Sequence, residues 1–149
     1  MNNSVGGIVI RELTLDELAL LGPLWESAGL SYRPTGRDTL ENLRVQWQRD
    51  AHGFIGGFDG NLLTGAVLAT NDGRRGWINR LAVHPKYRGQ GIGQLLIAAA
   101  EQTLKATGLR IIAALIEDDN AASRALFAKT GYEFLPGVLY YSKRESPGA

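Results

Sequence analysis

Cysteine is absent from the 149-residue chain, and with it go disulfide frameworks, thiolate zinc sites, iron–sulfur clusters and cysteine nucleophiles. Histidine occurs only as His52 and His84, too few for a histidine-rich metal site, so no metal is expected. Long apolar runs are missing too. Residues 95–100 and 111–116 are the longest stretches and fall far short of the ~20 residues of a membrane span. The opening Met-Asn-Asn-Ser-Val-Gly-Gly lacks a basic segment followed by an apolar one, so no targeting signal is read there. The expectation is a cytoplasmic protein without a membrane partner. There is almost no charge excess, 16 Lys and Arg against 15 Asp and Glu, hence no general attraction to nucleic acid or acidic membrane.

What remains is an ordinary globular composition, 44% hydrophobic and 21% charged. A chain of 16.2 kDa suits one domain, residues 1–149 with a polar tail from about 145. Folding at this size buries roughly 68% of the unfolded surface. A short strand is expected at residues 8–11. Thr14-Leu15-Asp16-Glu17 then reads as a capping box opening a helix that Gly29 ends. Asp38 is read as the cap of a second helix carrying Leu40, Leu43 and Trp47. The period then changes. Residues 54–58 and 62–70 around Asp59-Gly60-Asn61 predict a hairpin, and residues 77–83 a further strand. A helix is expected from Gly93 to about Thr107. Residues 109–116 read as a central strand buried on both faces, and residues 120–130 as a helix stopped by Gly131. Residues 132–135 and 138–142 predict a last strand pair around Pro136-Gly137. The order is β-α-α-β-β-β-α-β-α-β-β. The fold class is α/β: a mixed, mostly antiparallel sheet, one central parallel pair with a right-handed crossover, and helices on both faces.

The chemistry concentrates in Leu81-Ala82-Val83-His84-Pro85-Lys86-Tyr87-Arg88-Gly89-Gln90-Gly91-Ile92-Gly93. A strand ends, Pro85 breaks the ladder, and a glycine-rich turn opens a helix. The first amides of a helix are unpaired and carry the positive end of its dipole, which makes an anion site. Between Gly73 and Ala100 there is no Asp or Glu, while Arg74, Arg75, Arg80, Lys86 and Arg88 are present, as suits a polyanionic ligand. The plain alternative is a solvated basic loop. No Gly-Lys-Ser/Thr follows, which rejects a P-loop, and the dinucleotide fingerprint fails because Gln94 stands where its third glycine belongs.

These residues resemble the GCN5-related N-acetyltransferase (GNAT) family. Its signature, Arg/Gln-x-x-Gly-x-Gly/Ala after a strand ending Leu-x-Val-x-Pro, stands here as Arg88-Gly89-Gln90-Gly91-Ile92-Gly93 after Leu81-Ala82-Val83-His84-Pro85. A second family element stands as Asn120-Ala121-Ala122-Ser123-Arg124-Ala125-Leu126-Phe127-Ala128-Lys129-Thr130-Gly131-Tyr132. Leu24-Trp25-Glu26 through Arg33-Pro34 is similar to a small bacterial subgroup of YpeA type.

The resemblance implies a GNAT fold with splayed parallel strands. It implies an N-acetyltransferase that moves an acetyl group from acetyl-CoA to a primary amine, small or peptidic, by direct attack in a ternary complex. By position, the backbone at Leu81, Ala82 and Val83 would bond the pantetheine arm and help stabilise the oxyanion. The amides of Arg88, Gly89, Gln90, Gly91, Ile92, Gly93 and Gln94 would hold the pyrophosphate. Asn120 would contact the arm or simply cap its helix, and Phe127 would lie near the sulfur.

Two departures matter. Phe127 replaces the tyrosine that often protonates the thiolate, and Asn79 replaces a frequent glutamate. Glu117 is therefore the candidate base, acting through water, and Tyr140 or Tyr141 the candidate acid. Glu117-Asp118-Asp119 would also attract a cationic amine. The partners implied are acetyl-CoA and an amine acceptor, and a homodimer is compatible with this reading. The rival reading is a CoA-binding regulatory module without catalysis.

Overall fold

The computed structural model describes residues 4–149. Six strands lie in sequence order across a single sheet: β1 Ser4–Val5, β2 Ile8–Glu12, β3 Phe54–Asp59, β4 Leu62–Asn71, β5 Gly76–Val83 and β6 Ile112–Ala114. All neighbours are antiparallel except β5 and β6, which run parallel through the crossover helix. The helices are α1 Leu21–Ser27, α2 Leu40–Asp50, α3 Ile92–Lys105 and α4 Ala121–Lys129.

Alternation along the strands divides the core between the two faces. Ile55, Val67 and Ala69 turn to α3, where Leu96, Ile97 and Ala100 are fully buried. Phe54, Ala66 and Leu68 turn to the other face, against Leu21, Leu24 and Trp25 of α1 and Leu43 of α2. Helices therefore cover both faces, as expected. Close approach of α3 needs a missing side chain: a Cβ on Gly65 would lie 3.1 Å from Leu96 and 3.2 Å from Ile92.

The first helix is interrupted. Residues Leu15–Leu20 form a 3-10 helix and the α-helix begins only at Leu21. Pro23 explains this, because it has no N–H and its ring would collide with the carbonyl four residues earlier. It is tolerated in the first turn of α1, where amides are unpaired anyway.

The Thr14 end forms as the sequence implies, with Thr14 N–H donating to Glu17 Oε1 at 2.9 Å. Arg11 grips the same carboxylate with both terminal nitrogens at 2.8 Å. That hydrogen-bonded pair, with the Thr14 amide, pulls the Glu17 carboxyl down to about 2. A depressed folded-state pKa contributes stability above the unfolded value, and that contribution disappears as pH falls from about 4.5 towards 2. Glu17→Gln should cost about 1 kcal/mol at pH 7, a typical capping loss. In urea titrations its deficit against wild type should shrink steadily between pH 5 and 2. A deficit that stays constant with pH would contradict the assignment.

Three further expectations are corrected. Asp38 does not cap α2; Thr39 does, its hydroxyl accepting from Asn42 N–H at 3.2 Å. The strand expected over 109–116 is only Ile112–Ala114, half-buried at the sheet edge, with Ile111 and Leu115 exposed. Its outer edge has no strand partner among the described residues, because residues 132–142 form no strand. Val138 N–H turns back to the Leu135 carbonyl at 3.3 Å, and the two arms do not pair. High strand propensity alone does not stabilise an isolated hairpin. Phe134, Leu139, Tyr140 and Tyr141 accordingly stay exposed. The accessible surface of 9582 Å² exceeds the roughly 7,400 Å² usual at this mass. Among the described residues no helix is long and apolar enough to cross a membrane.

Candidate active site

Two breaks in the sheet open the site. The first is a bulge in β5. Leu68 pairs with Asn79 and Ala66 with Ala82, so Arg80 and Leu81 together face the single residue Val67. Arg80 is the one non-glycine with positive φ among the described residues, at 56°. The second break is the end of β6. Pairing runs Gly76–Ile112, Trp77–Ala113 and Ile78–Ala114 and then stops. The β6-facing edge of β5 from Asn79 to Val83 therefore has no strand beside it.

The glycine turn follows directly. A 3-10 turn at Pro85–Tyr87 is capped by His84, whose Nδ1 accepts from Lys86 N–H at 3.1 Å. This is a loop role for His84. Gly91 caps α3 in the left-handed region, at φ 82°. The amides of Gly89 through Gln94 have no acceptor among the described residues outside α3, and the helix itself offers none to its first turn. Around Gly89 a Cβ would meet nothing within 4 Å, and at Gly91 only the Gln94 side chain at 3.9 Å. The turn is open, so its glycines are not there to make room for other parts of the protein. Gly93 differs. A Cβ there would press on Leu126 Cδ2 at 2.8 Å, so this glycine lets α4 sit against the start of α3.

Arg88 does not reach into the open turn. Its Nε donates to the Val83 carbonyl and its Nη2 to the Ala28 carbonyl, both at 3.1 Å, tying the end of α1 to the end of β5. Asn120 caps α4, its Oδ1 accepting from Ser123 N–H at 3.1 Å, which leaves its amide nitrogen for other uses. Phe127 is buried, with Tyr132 edge-on at 5.0 Å. The Tyr132 hydroxyl donates to Glu101 Oε2 at 3.1 Å, and burial together with the Glu101 charge pushes the phenol above its ordinary range.

Asn79 lies where two clefts meet. Its Nδ2 donates to Thr70 Oγ1 at 3.0 Å, leaving the amide oxygen free to accept. One cleft, of about 370 Å³, is lined by Trp77, Leu115, Val138 and Tyr140 as well as Thr70 and Asn79. The other, of about 810 Å³, runs between α2 and the β4–β5 pair and includes Arg37, Gln46 and Arg49. Of the residues nominated for proton transfer, Tyr140 lines the smaller cleft. Tyr141 is 86% exposed and lines neither, and Glu117 is exposed beyond β6 and also lines neither.

Sequence reasoning missed the group that shapes the larger cleft. Arg80 folds back from the bulge, its Nη2 donating to Asp38 Oδ2 at 2.6 Å and its Nη1 to the Ser31 carbonyl. Its guanidinium lies 4.8 Å over the Trp25 ring. Asp38 Oδ2 also accepts from Arg33 N–H at 2.6 Å. Burial pulls Arg80 below its ordinary pKa, and the Asp38 charge opposes that. Two cues were present in the sequence, a lone acid after the Ser31–Gly36 loop and an arginine inside an apolar strand, but nothing in the local pattern joins them. No cluster of three or more metal-binding side chains occurs among the described residues.

Comparison with known proteins identifies the class. Residues 21–132 match the acetyltransferase (GNAT) family, and the chain belongs to that family. An acetyltransferase of Sodalis glossinidius is 32% identical over 135 residues, covering 91% of this chain and 94% of its own. Among solved structures, the PaiA N-acetyltransferase of Thermoplasma acidophilum in complex with coenzyme A superposes with a TM-score of 0.74 at 21% identity, over 85% of this chain and 89% of that one. The AAC(6')-Iy structure with a bisubstrate analogue gives 0.75 at 19% identity, over 92% and 98%. At those identities the structures speak for the fold.

Proposed function

We propose that the protein transfers an acetyl group from acetyl-CoA to a primary amine bound in the cleft beside Asn79. The observation that carries this is the run of unpaired amides from Gly89 to Gln94, one turn beyond a strand edge left bare after Ile78. A chain of pyrophosphate and amide groups needs both, anion donors first and strand-like partners next. Leu81, Ala82 and Val83 form the strand edge, the Val83 carbonyl already accepting from Arg88 Nε, and Asn120 offers its free amide nitrogen. Coenzyme A solved with the Thermoplasma PaiA enzyme supports the choice of ligand.

Acetyl-CoA supplies an activated acyl carbon. The amine nitrogen bonds to that carbon, the carbon–sulfur bond breaks, the sulfur takes a proton and the amine gives one up. Binding both partners in one slot supplies much of the rate. Asn79 Oδ1 can orient an amine N–H but cannot remove a proton. Tyr140 is the acid we propose for the thiolate, because Phe127 has no proton to give and Tyr132 is engaged with Glu101. Phe127 also favours the second reading, a CoA-binding module without turnover, which release of CoA in the presence of any amine would remove.

Calorimetry should give one acetyl-CoA site per chain, unaffected by EDTA. No heat and no thermal shift at millimolar CoA would overturn the proposal. In the same assay Glu117→Gln should leave kcat within about threefold, since the side chain is exposed and lines neither cleft. A fall of ~10²–10⁴-fold, the usual worth of a general base, would make Glu117 that base.

A further inference from the structure

The larger cleft carries an imbalance of charge that bears on the acceptor. Its lining holds Arg37, Arg49 and Arg80 against Asp38 and Asp50. Two of the cations are already matched. Arg80 is bound to Asp38 at 2.6 Å, and Arg49 lies 3.4 Å from Asp50. Arg37 is left in excess. Its Nε is 3.9 Å from Asp38 Oδ2, an oxygen already taken at shorter range by Arg80 and by the Arg33 amide. Its Nη1 is 3.4 Å from the Ala149 main-chain oxygen, which Arg144 Nη1 holds more closely at 2.7 Å, so the contact to Arg37 is one that a ligand oxygen can replace. The side chain is 46% exposed. Every carboxylate lining the cleft already has a cation beside it, so a polycationic amine finds no free anion there. A carboxylate finds a guanidinium, the side chain best shaped to bind it in two places.

We propose that the acceptor is an anionic amine, an amino group carried beside a carboxylate, with the carboxylate on Arg37 and the nitrogen at Asn79. This rests on the transferase reading above. It runs against the expectation that Glu117-Asp118-Asp119 draws in a cationic amine, since that run does not line the cleft. The cleft offers amide and hydroxyl groups near the amine, from Asn79, Thr70 and Gln46, but no unpaired base. That favours an α-amine, whose pKa of ~7.7–8.0 leaves much of it unprotonated at neutral pH, over a lysine-like amine at ~10.4.

The test is CoA release at saturating acetyl-CoA with four acceptors: glutamate, the peptides Ser-Glu-Glu and Ser-Lys-Lys, and spermidine. Glutamate or Ser-Glu-Glu should exceed Ser-Lys-Lys and spermidine at least tenfold in kcat/KM, and which of the two leads separates a free amino acid from a peptide end. Arg37→Glu should raise KM for the anionic acceptor at least tenfold with kcat within threefold, and should improve Ser-Lys-Lys. Arg37→Lys should recover part of the loss. Added salt should raise the wild-type KM and not that of Arg37→Glu. A wild-type preference for spermidine, or an unchanged KM in Arg37→Glu, overturns the inference. Binding of acetyl-CoA without turnover of any anionic acceptor also overturns it while leaving the CoA site intact. Failure to bind acetyl-CoA removes both readings.

Discussion

Gly91→Val is expected to weaken acetyl-CoA binding at least tenfold, or about 1.4 kcal/mol. Two effects act together. The position has φ 82°, where a β-branched residue is strained, and the new side chain would stand in a turn that is otherwise open. Gly91→Asn separates them, because asparagine tolerates the left-handed region. If obstruction dominates, both variants lose affinity, while only valine lowers the melting temperature appreciably. If strain dominates, asparagine binds nearly as well as glycine. A folded Gly91→Val of unchanged affinity would put the phosphates elsewhere. Calorimetry with acetyl-CoA and thermal melts of both variants supply the comparison.

Asp38→Ala should be strongly destabilising, at about 3–5 kcal/mol, the usual cost of leaving one member of a buried ion pair alone. The Asp38 side chain is 7% exposed and that of Arg80 15%. Without the carboxylate, Arg80 keeps the Ser31 carbonyl and the Trp25 face but no counter-charge. The Arg33 amide loses its acceptor as well. Against a typical total of ~5–15 kcal/mol the effect should be plain in urea unfolding. Arg80→Ala and the double variant complete a cycle, and the double should be clearly less unstable than the sum of the singles. A loss below about 0.5 kcal/mol for Asp38→Ala would mean that the pair is not formed in solution.

Much of this molecule was legible before folding. The strand–glycine–helix passage from Leu81 to Gly93 could be read because its chemistry is local. Unpaired amides at a helix start follow from a few consecutive residues. The Asp59-Gly60-Asn61 hairpin is local in the same sense. The cleft was not legible, for the opposite reason. Asp38 and Thr39 are both good caps, and the choice between them is made by Arg80, 42 residues away. The interrupted first helix was misread although its cause, Pro23, stands in plain view. The final strand pair was misread because propensity shows what a segment prefers when a pairing neighbour is present, and here residues 132–142 pair neither with β6 nor with each other.

The bulge at Arg80 marks a place where β5 could lose a residue and keep its in–out order, at the cost of leaving the Asp38 carboxylate without its cation. Ile78 and Ala82 lie an even number of residues apart, yet Ile78 faces α3 and Ala82 faces α1, because one supernumerary residue stands between them. Removing Arg80 would leave Leu81 and Val83 towards α3 and Ala82 towards α1, so the in–out order of the strand would survive intact. Removing Leu81 instead would drive the Arg80 guanidinium into the apolar layer under α3. A single in-frame deletion can thus erase the widened mouth of the site and its Asp38 anchor without scrambling the sheet. The reverse event, one inserted codon in a regular strand, is enough to create the bulge, so this part of the site is separable from the scaffold that carries it.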